Sequence, residues 1–410
     1  MSRRGIAILA VLVPAAVGLT LLALGANVER FADRVSGDPP PAASTRARAL
    51  QRSSEIVDLH ADSLLWGRDL GRRASVGHVD LPREREANVA LQVFTIVTRF
   101  PATASIERTN PHAPDLITLL AVTNGWPWRT YGSLTERVLY QARRLHDFAA
   151  RDDHLVIVAA RADLDRLLAA RAQDRSQDRS EDRSWIGAIL GIEGAHALDR
   201  PTALDEAYDA GVRLIGLAHF FDNDYAGSAH GVGKTGLTDR GRELVAQMEE
   251  RGMIVDLAHA SPATIRDVLA IAKKPPIVSH TGVKGTCDNA RNLSDDELRA
   301  VAAAGGVIGV GYWPTAVCGD TPAAIARAIR YAIGIVGDEH VALGSDFDGA
   351  VTTPFDASRL DALIEAMLEA GVEERSVPRV LGENALGVLR KLLPANDRSS
   401  PAGSRPSAQR

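Results

Sequence analysis

The sequence predicts a (β/α)8 barrel, and three observations carry that reading. Strand-like and helical segments alternate regularly from Ile186 onward. Most of those strand-like segments end in a residue able to do chemistry. The chain, at 410 residues, leaves room for one large catalytic domain of barrel size.

The first strand candidate is the run Glu55-Ile-Val-Asp-Leu-His-Ala-Asp62, short, apolar and β-branched at Ile56 and Val57. Asn88–Thr98 and Leu155–Ala159 follow, then Ile186–Ile192, Val212–Ala218, Met253–Ala258, Pro276–Ser279, Val307–Tyr312 and Val341–Ser345. These are nine candidates, one more than the eight a barrel needs, and Leu155–Ala159 is the one expected outside it. The alternative architecture is an open doubly wound sheet. Against it, no Gly-rich phosphate fingerprint follows any early strand.

Composition is that of a globular protein, with 45% hydrophobic and 24% charged residues. A formal net charge of -5 gives no basic field, so nucleic acid is not an expected partner. Residues 1–26 differ from the rest: Arg3-Arg4 precede an apolar stretch, Ile6 to Ala26, which reads as a cleaved export signal or an N-terminal membrane anchor. Ala23-Leu24-Gly25 would serve as the cleavage site in the first case. Residues 27–54, with Pro39-Pro40-Pro41, read as a linker, and 55–394 as the barrel. The Asp-Arg-Ser repeats within 171–184 read as a polar surface insertion, and 395–410 as a disordered tail. The predicted location is the periplasm, or the periplasmic face of a bacterial inner membrane. Cys287 and Cys318 would then meet an oxidising compartment, where a disulfide can form.

His60 and Asp62 close the first strand, and in an extended chain residues two apart face the same way. Glu193, His219, His259, His280 and Asp346 each follow a later strand. A single histidine at a strand end is most often a satisfied core residue. Repetition at six strand ends that converge on one barrel mouth points instead to a metal site. Imidazole with carboxylate suits zinc or a similar divalent ion, and one carboxylate can bridge two ions. His112, His146 and His154 fall outside this pattern and read as solvated or structural. His196 reads as a neighbour of the ligands, and His230, in the Gly-rich loop Gly227–Gly236, has no assigned role.

The segments Asp58-Leu-His-Ala-Asp62, Gly191-Ile-Glu-Gly-Ala-His196, Val255-Asp-Leu-Ala-His259, Val278-Ser-His280, Cys287-Asp-Asn-Ala-Arg-Asn292 and Gly344-Ser-Asp-Phe-Asp-Gly349 resemble the membrane (renal) dipeptidase family, peptidase family M19. The resemblance runs from about Ile56 to about Leu389. It implies a barrel of the metal-dependent hydrolase (amidohydrolase) type, two zinc ions, and hydrolysis of dipeptides with a free C-terminal carboxylate, D-residues at that position included. His60 and Asp62 would hold one zinc and His259 and His280 the other, with Glu193 bridging them and a hydroxide between the metals as nucleophile. His219 would bind substrate and steady the oxyanion, Asp346 would be the acid/base, and Arg291 would hold the substrate carboxylate. Arg291 could alternatively cap the helix starting near Ser294. Tyr312 is the only tyrosine near the position of the carboxylate-binding tyrosine of mammalian members, and its alignment is loose. The resemblance also implies a Cys287–Cys318 disulfide and allows a homodimer. Two alternatives stand beside it: hydrolysis of a lactone or cyclic amide, and a metal-binding barrel without catalysis.

Overall fold

The computed structural model describes residues 28–37, 39–176 and 184–396. The expected signal or anchor, most of the repeat within 171–184 and nearly all of the expected tail lie outside the described residues. Eight strands build the main sheet: β1 (Ile56–Ala61), β2 (Val89–Val97), β3 (Ile186–Glu193), β4 (Val212–Gly216), β5 (Ile254–Asp256), β6 (Val278–Thr281), β7 (Ile308–Val310) and β8 (Val341–Leu343). Each pairs in parallel with its neighbours in chain order, and β8 pairs with β1. A parallel bridge between Asp256 and Ile277 joins β5 to the start of β6; Leu257 N–H donates to Ile277 O at 2.8 Å and Ile277 N–H to Val255 O at 3.0 Å. That bridge closes the barrel. Leu155–Ile157 pairs with the start of β3, off the path of the eight, as expected.

Strands buried on both faces must be apolar throughout, and alternate residues then serve two cores. Val57, Leu91, Ile189, Leu214, Ile254 and Ala342 belong to one cluster. Only the barrel lumen lets side chains from so many strands meet. The helix Asn384–Leu392 reaches the same cluster with Leu386 and Leu389. The opposite parity, Phe94, Ile96, Leu190, Ile192 and Ile215, packs beneath the outer helices. With the lumen filled by apolar side chains, the polar strand ends are left to form the opposite mouth.

The linker expected over 27–54 is corrected by the structure. Residues 28–32 are helical, and Arg34–Val35 pairs in parallel with Thr352–Thr353. Glu29 is ion-paired with Arg68, and Val351 N–H donates to Asp33 Oδ1 at 3.1 Å. The helix Thr45–Ser53 is capped by Ser44, whose own N–H donates to Glu365 Oε2 at 2.8 Å on the helix Leu360–Glu369. Ala43, Ala47 and Leu50 give this segment only a small apolar face against the main core, and the rest of its hold is polar, which is why its sequence looks like a linker. The insertion expected from residue 171 is also corrected at its start. Arg171 lies in the helix Arg161–Ser176, buried, with Nε donating to Glu55 Oε2 at 2.6 Å and Nη1 to the Trp185 carbonyl at 2.5 Å.

Candidate metal centre

The site begins with an irregularity. The pairing of β1 with β2 shifts register between Asp58 and Ala61, so β1 carries one residue more than its partner there. Such a bulge turns a side chain away from strict alternation. His60 and Asp62 are therefore not presented by simple alternation as the sequence suggested. They still meet, with His60 Nε2 3.6 Å from Asp62 Oδ1, and Thr95 on β2 donates to that oxygen at 2.6 Å.

Glu193 ends β3 at the centre of the group. Its Oε1 lies 3.0 Å from His259 Nε2, 3.5 Å from His280 Nε2 and 3.6 Å from His60 Nε2, while Oε2 lies 3.1 Å from His219 Nε2. The next residue is Gly194 at φ 92°, where a Cβ would stand 2.3 Å from the His196 ring and 3.1 Å from His219 Cβ. Only glycine allows that approach. His259 and Asp346 sit at φ 60° and 62°, strained values for residues with side chains, and both belong to the loops at this mouth. Asp346 Oδ1 is 3.9 Å from His60 Nε2.

The proton positions follow from the partners behind the ligands. Ser279 Oγ donates to Asp256 Oδ2 at 2.6 Å, so it can only accept from His60 Nδ1 at 3.2 Å and His280 Nδ1 at 3.0 Å. His230 Nδ1 donates to the Ile106 carbonyl at 2.8 Å, so His230 Nε2 accepts from His259 Nδ1 at 2.9 Å. All three imidazoles are thereby left with bare Nε2 lone pairs aimed at Glu193. His259 Nε2 and His280 Nε2 face each other at 2.9 Å with no proton to share, and buried His60 Nε2 has no hydrogen-bond partner. Lone pairs and carboxylates converging in a buried space repel unless a cation lies between them. The residues present thus fit a divalent cation.

Electrostatics agree at His259 and His280, whereas at His60 the surrounding carboxylates favour a proton on Nε2 where a cation would otherwise balance them. Burial holds His219, His259 and His280 well below the usual imidazole range, with the Arg291 charge adding to this at His259 and the neighbouring imidazoles contributing at each. At His60 burial acts the same way but is outweighed by Asp62, Glu193 and Asp346, which raise it to about 10. Glu193 is pushed well above the usual carboxylate range by burial and by Asp62. Burial, with Asp62 and Asp58 adding, raises Asp346 to about 7 against the pull of His60 and Arg291.

Arg291 is buried and its Nη2 donates to the His280 carbonyl at 2.8 Å, while its Nε has no partner. Burial lowers its pKa to about 10, against Asp346 and Glu193. It does not cap the following helix, because Ser294 and Glu297 form the capping box there. Its guanidinium lies over Trp313 at 5.6 Å. The expected place of Tyr312 is corrected: it is 1% exposed, packed against Phe347 and Phe355, and its hydroxyl has no partner. Adjacent residues of an extended chain point to opposite sides, so Trp313 rather than Tyr312 lines the cavity. Cys287 and Cys318 form the expected disulfide.

A cavity of about 390 Å³ opens above this floor of Asp62, Glu193, His219, His259, Arg291 and Asp346. Its walls are apolar, with Trp66, Phe100, Ile117, Leu120 and Phe220 among them. Sequence reasoning missed Ser279, Asp256 and His230 as the residues that fix the tautomers of His60, His259 and His280. The available signal was a polar residue beside a ligand in an otherwise apolar strand end, as in Val278-Ser-His280. A separate buried group, Asp33, His78 and Asp348, is structural: Asp348 accepts from Arg68, from Ser63 Oγ at 2.5 Å and from His78 N–H at 2.6 Å, and His78 Nε2 donates to the Arg34 carbonyl at 3.0 Å.

Fold and site together define a metal-dependent hydrolase barrel. The family model described as membrane dipeptidase (peptidase family M19) matches residues 44–401, and the chain belongs to that family. Dipeptidase verJ of Clonostachys rogersoniana is 36% identical over 212 residues, half of this chain and 55% of its own length. Dipeptidase aclJ of Aspergillus oryzae is 36% identical over 219 residues, half of this chain and 51% of its own length. The chain thus spans about half the length of the curated relatives it matches. Among solved structures, a metallopeptidase from Rhodobacter sphaeroides, liganded with a phosphinate mimic of L-Ala-D-Ala, superposes with TM-score 0.63 at 23% identity, covering 83% of this chain and 99% of the other. The probable dipeptidase PvdM of Pseudomonas aeruginosa gives TM-score 0.67 at 18% identity, covering 85% and 97%.

Proposed function

We propose that this protein is a zinc-dependent dipeptidase that hydrolyses dipeptides bearing a free C-terminal carboxylate, C-terminal D-residues included. The observation that carries the reading is the convergence of three imidazole Nε2 atoms on Glu193 beside a buried guanidinium with a free Nε. The dipeptidase names of its relatives and the dipeptide mimic bound to the Rhodobacter structure support it. His60 and Asp62 would hold one ion, His259 and His280 the other, and Glu193 both. Ions so held supply Lewis acidity and bring the pKa of a water toward neutrality.

The remaining work falls to the chain's own groups. Arg291 receives the terminal carboxylate, for which a planar guanidinium is suited. His219, neutral and buried, donates Nε2–H to the oxygen that gains charge as the amide carbonyl becomes tetrahedral. Asp346, with its carboxyl raised to about 7, takes a proton from water and returns it to the departing amine. The apolar walls exclude bulk water, which strengthens each of these interactions. We place the protein at the periplasmic side of a bacterial inner membrane, supported by the apolar run Ile6–Ala26 and the disulfide.

The test is amino-acid release from free and C-terminally amidated dipeptides, L and D, with and without added zinc. Metal-dependent cleavage confined to the free-carboxylate set is the expected result. No release by zinc-loaded protein would overturn the reading and bring lactone or cyclic-amide hydrolysis forward.

A further inference from the structure

We infer that the surface around the cavity mouth, formed by residues 28–35, the helix Leu116–Thr123 and Trp128, rests on an anionic lipid bilayer, so that the catalytic cavity opens at the headgroup layer. The inference rests on the membrane-anchor reading of the N-terminal run.

The helix Leu116–Thr123 is apolar on every side. It buries Ile117, Leu120 and Ala121 against Trp66 and Trp126, yet Leu116, Leu119 and Val122 stand outward at 41, 57 and 38% exposure. Their spacing makes one outward stripe. A helix apolar all round is expected where both faces leave water. Trp128, on the turn that follows, is 75% exposed. Val28 and Phe31, at 43 and 73%, share a face of the short helix over residues 28–32. Val28 and Leu116 line the same cavity, which brings the two apolar surfaces together at its mouth.

Charge is sorted about this surface. The acids of the segment, Glu29 and Asp33, are buried, whereas Arg30 and Arg34 are exposed. Exposed Arg129 lies 5.8 Å from the Trp128 ring. An apolar patch with an interfacial tryptophan and outward arginines matches the chemistry of an anionic membrane surface. Position agrees as well. The apolar run ends at Ala26, and Glu29 is already ion-paired with Arg68. Two residues from Ala26 to Val28 span at most about 7 Å, so a bilayer holding the run leaves this face no room to stand away. Among the described residues no helix is long and apolar enough to cross a membrane, so the barrel would lie on the surface rather than in it.

The experiment uses the full chain reconstituted in phosphatidylglycerol/phosphatidylethanolamine vesicles, with a nitroxide on Leu119→Cys or, as reference, on Ala303→Cys. Ala303 ends the helix that leads into β7, at the far end of the barrel. The expected result is a ratio of oxygen to nickel-chelate collisions several-fold higher at 119 than at 303, falling when Arg30→Glu and Arg34→Glu are combined. Equal ratios on a chain that stays in the vesicles through a carbonate wash would overturn the docking and leave the anchor. Equal ratios on a chain that washes off would overturn both. A label at 119 immobilised without lipid, in proportion to protein concentration, would make the face a contact between copies and overturn the docking. Dipeptide hydrolysis, assayed on the same samples, reads the proposed activity separately.

Discussion

His230 Nε2 lies 2.9 Å from His259 Nδ1, and the Ile106 carbonyl behind His230 decides which of the two imidazoles carries the proton. His230 touches no other member of the Glu193 group through a hydrogen bond, yet it fixes the tautomer that leaves His259 Nε2 free. Removing such a supporting partner typically weakens metal binding about 10- to 100-fold. We therefore expect His230→Ala to bind zinc that much more weakly in a competition titration against a fluorescent chelator. The dipeptide KM at saturating zinc should change little. Unchanged zinc affinity would show that the Ile106–His230–His259 chain does not matter to the metal.

Arg291 has a free, buried Nε beside the floor of the cavity, while its Nη2 donates to the His280 carbonyl. Loss of a charged hydrogen bond costs about 1.5–3 kcal/mol, roughly ten- to hundredfold in kcat/KM. Arg291→Ala should lose that much on free dipeptides, mainly through KM. Arg291→Lys should recover only part of it, because an ammonium cannot make two parallel bonds to a carboxylate. Steady-state kinetics on both variants decide the point, and an unaltered KM would remove Arg291 from carboxylate recognition.

Metal removal should cost stability as well as activity. The three Nε2 lone pairs and the carboxylates of Asp62, Glu193 and Asp346 share one buried space. A ligand bound only by the folded state adds about 4 kcal/mol at a thousandfold excess over Kd. Treatment with a chelator should therefore lower the melting temperature, and added zinc should restore it. The same temperature with and without chelator would argue that the cluster is not loaded.

Much of this was legible before the fold. The candidate metal ligands sit at strand ends because parallel strands in a barrel deliver their last residues to one place, so His259, His280 and Glu193 could be read from short apolar runs ending in a polar residue. The bulge that turns His60 could not, since register depends on how β1 meets β2 and not on β1 alone. Tyr312 misled for a related reason: being the only tyrosine near the expected position says nothing about which side of the wall its ring takes. Residues 28–54 misled because their apolar contacts rest on few, mostly small residues, Ala43, Ala47 and Leu50, and their polar ones, such as Glu29 with Arg68, join positions far apart in the chain.

Acid should loosen the loop that carries Asp346. Buried Asp348, two residues on, is held below the usual carboxylate range; burial opposes this, but Arg68, His78 and Ser63 outweigh it. Its folded-state pKa is therefore lower than its unfolded one, so the folded state binds fewer protons and stability rises with pH. The contribution is complete above the unfolded carboxylate value of about 4 and is lost as pH falls below it. Urea midpoints should fall as pH drops through that range, and less steeply in Asp348→Asn. Parallel slopes in the two proteins would assign acid lability to other carboxylates.

Gly194 offers a test of how tightly the floor is packed. Its φ of 92° and the 2.3 Å approach of a built Cβ to the His196 ring mean that Gly194→Ala must either strain the backbone or displace His196. A residue forced into such a conformation costs about 1–3 kcal/mol. His196 can yield little, because its ring packs at 4.7 Å against Phe221 and its Nε2 lies 3.4 Å from Thr98 Oγ1. The strain should therefore pass to His219, whose Cβ is 3.1 Å from the added methyl, and pull its Nε2 away from Glu193. The expected phenotype is a fall in kcat greater than the rise in KM, with zinc content unchanged, since His219 is not among the four residues proposed to hold the ions with Glu193. Loss of zinc in this variant would instead make His219 a ligand.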